Sequence, residues 1–143
     1  MIQYIDVHAV LRESCSGEYT DLVTRPTGRL VRERISQVMA AAPGIARMDF
    51  SGVGCMDYSC ADEIVANLLR AGAALLLRGI TDAHREAIEP VLAGAGLAVL
   101  LEQPDGTLYA LGPPAAAAEL LEQLVAQRLA DRLPGGSFAL LAS

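Results

Sequence analysis

Apolar positions fall in short blocks along the chain, and their spacing switches between the period of a strand and that of a helix. Ile2 to Leu11 alternates in part and is rich in β-formers, which predicts a strand. A turn-forming cluster from Glu13 to Glu18 follows, and Tyr19 to Thr24 predicts a second strand and so an N-terminal hairpin. Arg25-Pro26-Thr27-Gly28 breaks that strand. Leu30, Val31, Ile35, Val38, Met39 and Ala42 then recur at helical spacing, an amphipathic helix of about four turns with Thr27 as cap and Pro43-Gly44 as stop. Ile45 to Phe50 is strand-like, and Ala61 to Ala71 carries a helical stripe of Ile64, Val65, Leu68 and Leu69.

The second half keeps alternating. Ala73 to Leu77 is an unbroken apolar run of strand length, as expected of a strand covered on both faces. Thr81 or Asp82 caps a helix to about Ala93, with Pro90 predicting a kink or early end. Leu97 to Leu101 is a strand, Gln103 to Gly106 a turn, and Thr107 to Leu111 the strand that returns from it. Ala115 to Leu133 predicts a helix, stopped by Pro134-Gly135-Gly136, and residues 134–143 read as a tail whose last seven residues, Ser137 to Ser143, are apolar. The alternation of strands and helices defines an α/β fold: a mixed sheet of about five to six strands with helices packed on it, an N-terminal hairpin and a C-terminal helix. No internal repeat or linker divides residues 1–143, so they read as one domain.

Composition narrows the function classes. With 52% apolar and 20% charged residues in 143, the chain can bury a core. No apolar run is long enough to span a bilayer, and residues 1–11 lack a basic leader, so a cytoplasmic address is expected. A net charge of −6 argues against nucleic acid as partner. All 11 basic residues are Arg, and Arg25, Arg29, Arg32 and Arg34 cluster, either as a solvated helix face or as a contact for an anion or acidic partner. Cys15, Cys55 and Cys60 show neither disulfide nor zinc spacing, and His8 and His84 lie far apart. No metal or cofactor is expected.

The chemistry-bearing residues gather between Arg47 and Leu69, where a strand turns through Ser51-Gly52-Val53-Gly54 into a helix. Asp49 and Asp57 read as caps and turn acceptors, with paired acid–base carboxylates as the sharper alternative. Ser59 sits at the expected helix start, as an N-cap closed by Asp62 or Glu63 or as a modifiable hydroxyl favoured by the helix dipole. Cys60 reads as a small buried thiol, since no His base is placed beside it. The Gly-Val-Gly turn lacks the remaining residues of a nucleotide loop.

The run DFSGVGCMDYSCADEIVANLL, in this order of elements, resembles the STAS family of bacterial anti-sigma-factor antagonists. The resemblance is strongest over residues 20–101. In that family a D-S-[ST]-G-L-like helix start carries a hydroxyl phosphorylated by a partner serine kinase. Ser59 matches that phosphoacceptor and Asp57 the preceding Asp, while Tyr58, Cys60 and Ala61 replace the small hydroxyl, Gly and Leu. The resemblance implies a non-enzymatic, protein-binding regulator of transcription that works by partner switching. Its partner would be an anti-sigma serine kinase or related signalling ATPase, and its docking residues Asp57, Tyr58, Ser59, Cys60, Asp62 and Glu63. Two alternatives stay open: a small-ligand, phosphate-binding or enzymatic domain using Asp57, Cys60 and the Arg25–Arg34 cluster, and an oligomeric scaffold, for instance a homodimer, using the C-terminal segment.

Overall fold

Four apolar blocks pair in parallel in the computed structural model, which describes residues 2–15, 20–41 and 44–141. They are β1 (Ile2–Asp6), β2 (Ile45–Asp49), β3 (Leu75–Arg78) and β4 (Val99–Glu102), adjacent in chain order. Parallel neighbours need crossovers, and helices supply them. These are α1 (Val7–Ser14) and α2 (Arg25–Ala40) after β1, a run of α3 (Tyr58–Ala61), a π-helical turn (Asp62–Ala66) and α4 (Asn67–Arg70) after β2, and α5 (Asp82–Ala95) after β3. An antiparallel extension follows: β5 (Thr107–Leu111), α6 (Pro114–Ala126), β6 (Ala130–Arg132) and β7 (Phe138–Leu140). The sheet has seven strands in the order β1-β2-β3-β4-β5-β7-β6.

Alternation along each strand sorts the core into two layers. Ile5, Met48, Leu75, Leu77 and Val99 pack against α1, α2, the helical run and α5. Residues of opposite parity, Ile45, Leu76, Leu100 and Leu108, pack on the second face with Leu124 of α6 and Ala130 of β6. Ile2 of β1 and Leu140 of β7 are not on neighbouring strands, yet both border this second cluster and line one cleft. The sheet is therefore curled toward that face.

The α/β class holds, and several expectations are corrected. Among the described residues no N-terminal hairpin forms: β1 ends at Asp6, whose carboxylate accepts from Ala9 N at 3.1 Å and caps α1. Val7, Val10 and Leu11 are a helical stripe, not the tail of a strand. From the second predicted strand only Leu22 is in β pairing, in a single parallel bridge to Met56; Tyr19 lies outside the described residues. Thr24, not Thr27, holds the cap position of α2, and Pro26 sits in its first turn, where its missing N–H costs nothing. Ala42 and Pro43 lie outside the described residues. Pro90 does not end α5, which runs on to Ala95 with Pro90 on its exposed side.

The expected C-terminal helix is shorter and is not the last element. α6 stops at Ala126, Arg128 turns at φ 60°, and the apolar tail through Leu140 is a strand. Gly135 and Gly136, at φ 89° and 90°, make the tight turn between β6 and β7 that a side chain would strain. This hairpin adds the strands beyond the expected five to six.

Candidate functional site

The connection from β2 to the helical run is pinned from three sides. After the buried Phe50 the chain turns at Gly52 (φ 91°), and a Cβ there would stand 2.9 Å from Nδ1 of His8 on α1. On the other flank, His84 is fully buried near Phe50 at the start of α5. Thr81 N–H donates to its Nδ1 at 3.2 Å, which leaves the ring proton on Nε2, and Nε2–H donates to Gly54 O at 2.5 Å. Thr81 Oγ1 accepts from His84 N in return, a capping box with His in the usual Glu position. The two histidines, far apart in sequence, thus both border one four-residue turn, His8 at Gly52 and His84 through its bond to Gly54.

The third side is the segment from Thr20 to Thr24, laid along Gly54 to Asp57. Gly54 N donates to Thr20 O at 2.6 Å, Leu22 N to Cys55 O at 2.8 Å and Asp57 N to Leu22 O at 3.0 Å. Asp21 Oδ1 accepts from Cys55 N at 2.8 Å. A Cβ on Gly54 would run into that carboxylate, so this glycine is set by close approach.

Asp57 ends the pairing and starts the helix. Its Oδ1 accepts from Cys60 N at 2.8 Å, and its Oδ2 from Thr24 N at 2.9 Å. Burial pushes the carboxyl up, but these two N–H donors outweigh it and hold Asp57 below the usual carboxylate range. The cap is therefore Asp57 and not Ser59, which lies half-buried in the first turn. Thr24 sits at φ 71°, ψ 142°, a strained conformation for a β-branched residue. It is held there by Asp57 on its N–H and by the Cys60 thiol, which donates to Thr24 O at 3.1 Å.

Of the other expected site residues, Tyr58 is 53% exposed while Cys60 is fully buried. Burial first, then the Asp57 charge, pushes the Cys60 thiol up to about 12, so it is protonated at neutral pH. Glu63 is buried and takes Arg25 at 3.1 Å, Arg32 at 3.4 Å and Asn67 at 3.2 Å. Burial raises its carboxyl, yet the two guanidinium bonds win and keep it low. Asp62 pairs with Arg25 at 3.0 Å and Arg70 at 3.5 Å. Arg34 lies 3.5 Å from Glu13, and Arg29 is exposed. Most of the arginine cluster is thus bound to this chain's own acids.

Asp49 does not pair with Asp57. It points to the second face, where Tyr4 OH donates to its Oδ2 at 2.6 Å and Ser51 N to its Oδ1 at 2.9 Å. Burial raises Asp49, and the bonds from Tyr4 and Ser51 overcome it and lower its pKa. The same bond, with burial and the Asp49 charge, raises the Tyr4 hydroxyl. Arg78 stands 3.9 Å from Asp49 and 3.7 Å from Glu102, which also accepts from Arg47 at 3.1 Å. Sequence reading missed this group, although charged residues inside or at the ends of apolar strands (IARMD, LLLR, VLLE) were its signal.

Among the described residues no group of three or more His, Cys, Asp or Glu is placed to hold a metal ion, and no helix is long and apolar enough to cross a membrane. Fold and site together define a mixed α/β domain built around a braced strand-to-helix connection. No family model, curated protein or solved structure matches the chain.

Proposed function

We propose that this chain is a STAS-like, non-enzymatic regulatory domain of the cytoplasm that binds a protein partner through the connection from Gly54 to Glu63. The observation that carries the reading is the strained Thr24, held by Asp57 and Cys60. Backbone strain persists only where surrounding contacts over-determine it, and such positions concentrate at binding and switch regions. The clamp presents exposed Val23 on the segment paired to the loop and exposed Tyr58 on the helix start. Asp57, Ser59 and Asp62 are half-buried around them, while Cys60 and Glu63 lie beneath and support the surface from within.

Ser59 is the proposed switch. A phosphate adds about −1.5 to −2 charges two residues from the Asp57 carboxylate. That repulsion weakens the hold of Asp57 on Thr24 N and frees the segment carrying Val23, leaving the core intact. The family resemblance points to an anti-sigma serine kinase or related signalling ATPase as partner. Incubating the chain with such a kinase and ATP is expected to add one phosphate by intact mass, abolished by Ser59→Ala, and Tyr58→Ala should weaken the complex. Tight binding without phosphate transfer removes the switch and keeps the docking surface. Binding that Tyr58→Ala and Val23→Ser leave unchanged removes the docking surface as well.

A further inference from the structure

Arg47 occupies the middle of β2 and faces the second side of the sheet, in register between Tyr4 of β1 and Leu76 of β3. Its Nη2 donates to Glu102, but its Nε–H is buried and has no partner among the described residues. A buried donor of a charged group left without an acceptor is unfavourable, and native structures rarely keep one. Arg78, two residues past Leu76, ends β3 on the same face. Its approaches to Asp49 and Glu102, at 3.9 and 3.7 Å, are ion pairs too long for hydrogen bonds, so its half-exposed guanidinium is open to a further acceptor. Asp49 already accepts from Tyr4 and Ser51, and Glu102 from Arg47. What Arg47 lacks is an acceptor for its Nε–H.

The same groups line two clefts that share Glu102. One, of about 370 Å³, sets Arg47 and Tyr4 against apolar Ile2, Leu140 and Leu141. The other, of about 380 Å³, holds Arg78, Ser51 and the turn at Gln103-Pro104. Both are of a size that holds a small molecule, and the second opens where parallel β3 and β4 end, the usual ligand position of such sheets. Asp49 and Glu102 balance Arg47 and Arg78, so a singly charged head group meets less repulsion here than a dianion.

We infer that this face is a binding site for a small organic carboxylate, whose head group accepts from Arg47 Nε–H and the Arg78 guanidinium. Its short apolar body lies against Ile2, Leu140 and Leu141. The site is on the opposite side of the sheet from the helix layer that carries Tyr58 and Ser59, and it stands independently of the docking surface.

Hexanoate is a suitable probe, read by the ¹H–¹⁵N signal of the Arg47 side-chain Nε–H. The expected result is a saturable shift with Kd on the order of 1 mM or tighter. Hexanol, which has the body without the charge, should give no saturable shift, and inorganic phosphate should bind at least about tenfold more weakly. Arg78→Gln removes a half-exposed side chain that makes no hydrogen bond, so the fold stands, and it should weaken hexanoate by about tenfold or more. No saturable shift with hexanoate overturns the site. Equal binding of hexanol or phosphate, or no change in Arg78→Gln, overturns the proposed head-group recognition.

Discussion

At the scale of single residues, Thr24 and Asp57 form an opposed pair. A β-branched residue at φ 71° costs about 1–3 kcal/mol, and the carboxylate that caps α3 also holds it there. Thr24→Gly removes that strain, and we expect it to stabilise the chain by about 1 kcal/mol in urea unfolding. Asp57→Ala should cost about 1–2 kcal/mol through the lost cap. The sign of their coupling is the sharper test. In the native background, losing Asp57 lets Thr24 relax and recover part of the loss. With Gly at position 24 there is no strain to recover, so Asp57→Ala should cost more there, by about 1 kcal/mol. Additive effects would show that Asp57 does not maintain the strain.

Between elements, Gly28 of α2 makes a close approach to α3 in the helix layer. A Cβ there would lie 3.1 Å from the Cα of Cys60 and 3.1 Å from the Cβ of Glu63. In an isolated helix Gly→Ala gains up to about 1 kcal/mol. Here the neighbour is helix backbone, which cannot swing aside, so α2 and α3 must separate. Gly28→Ala should therefore destabilise by about 1–3 kcal/mol in chemical denaturation, and a gain in stability would show that the layer is loosely packed. Local pattern made much of this architecture legible. α2, β2, β3, α5, β4 and β5 emerge near their predicted places because each has its own period and stop signal. The errors lie where a local signal has two readings. IQYIDVHAVL alternates up to Asp6 and is helical beyond it, and one N-cap divides the two. The Pro-Gly-Gly turn was visible, but β7 has only three residues and is a strand because β5 offers an edge. Asp57 and the burial of Cys60 were readable from the motif. The Arg47–Glu102 contact spans 55 positions and exists only through strand register, so no local pattern reveals it.

For the whole molecule, the placement of charge sets the pH range of stability. Asp49, Asp57 and Glu63 are each raised by burial and lowered further by their donors, so their folded pKa values lie below the unfolded ones. A depressed carboxylate contributes stability that is complete above its unfolded value of about 4 and is lost as pH falls through the folded value. Tyr4 has the opposite sign. Its hydroxyl is raised by the bond to Asp49, so its contribution is complete below about 10 and lost as pH rises through the folded value. The Cys60 thiol, pushed up to about 12 by burial, has the same sign as Tyr4 and starts to lose its contribution above the unfolded thiol value of about 8.5. The urea midpoint should thus be flat from about pH 5 to 8 and fall on both sides. Glu63→Gln should lower the plateau, because Arg25 and Arg32 lose their shared anion, and flatten the acid limb. Tyr4→Phe should remove the Tyr4 share of the alkaline limb, above about pH 10, and leave the Cys60 share in place. It should also steepen none of the acid limb, since Asp49 without the Tyr4 bond is less depressed and has less to lose on protonation. An acid limb unchanged in Glu63→Gln, Asp57→Asn and Asp49→Asn alike would mean that exposed carboxylates, and not the braced connection and the second face, govern acid unfolding.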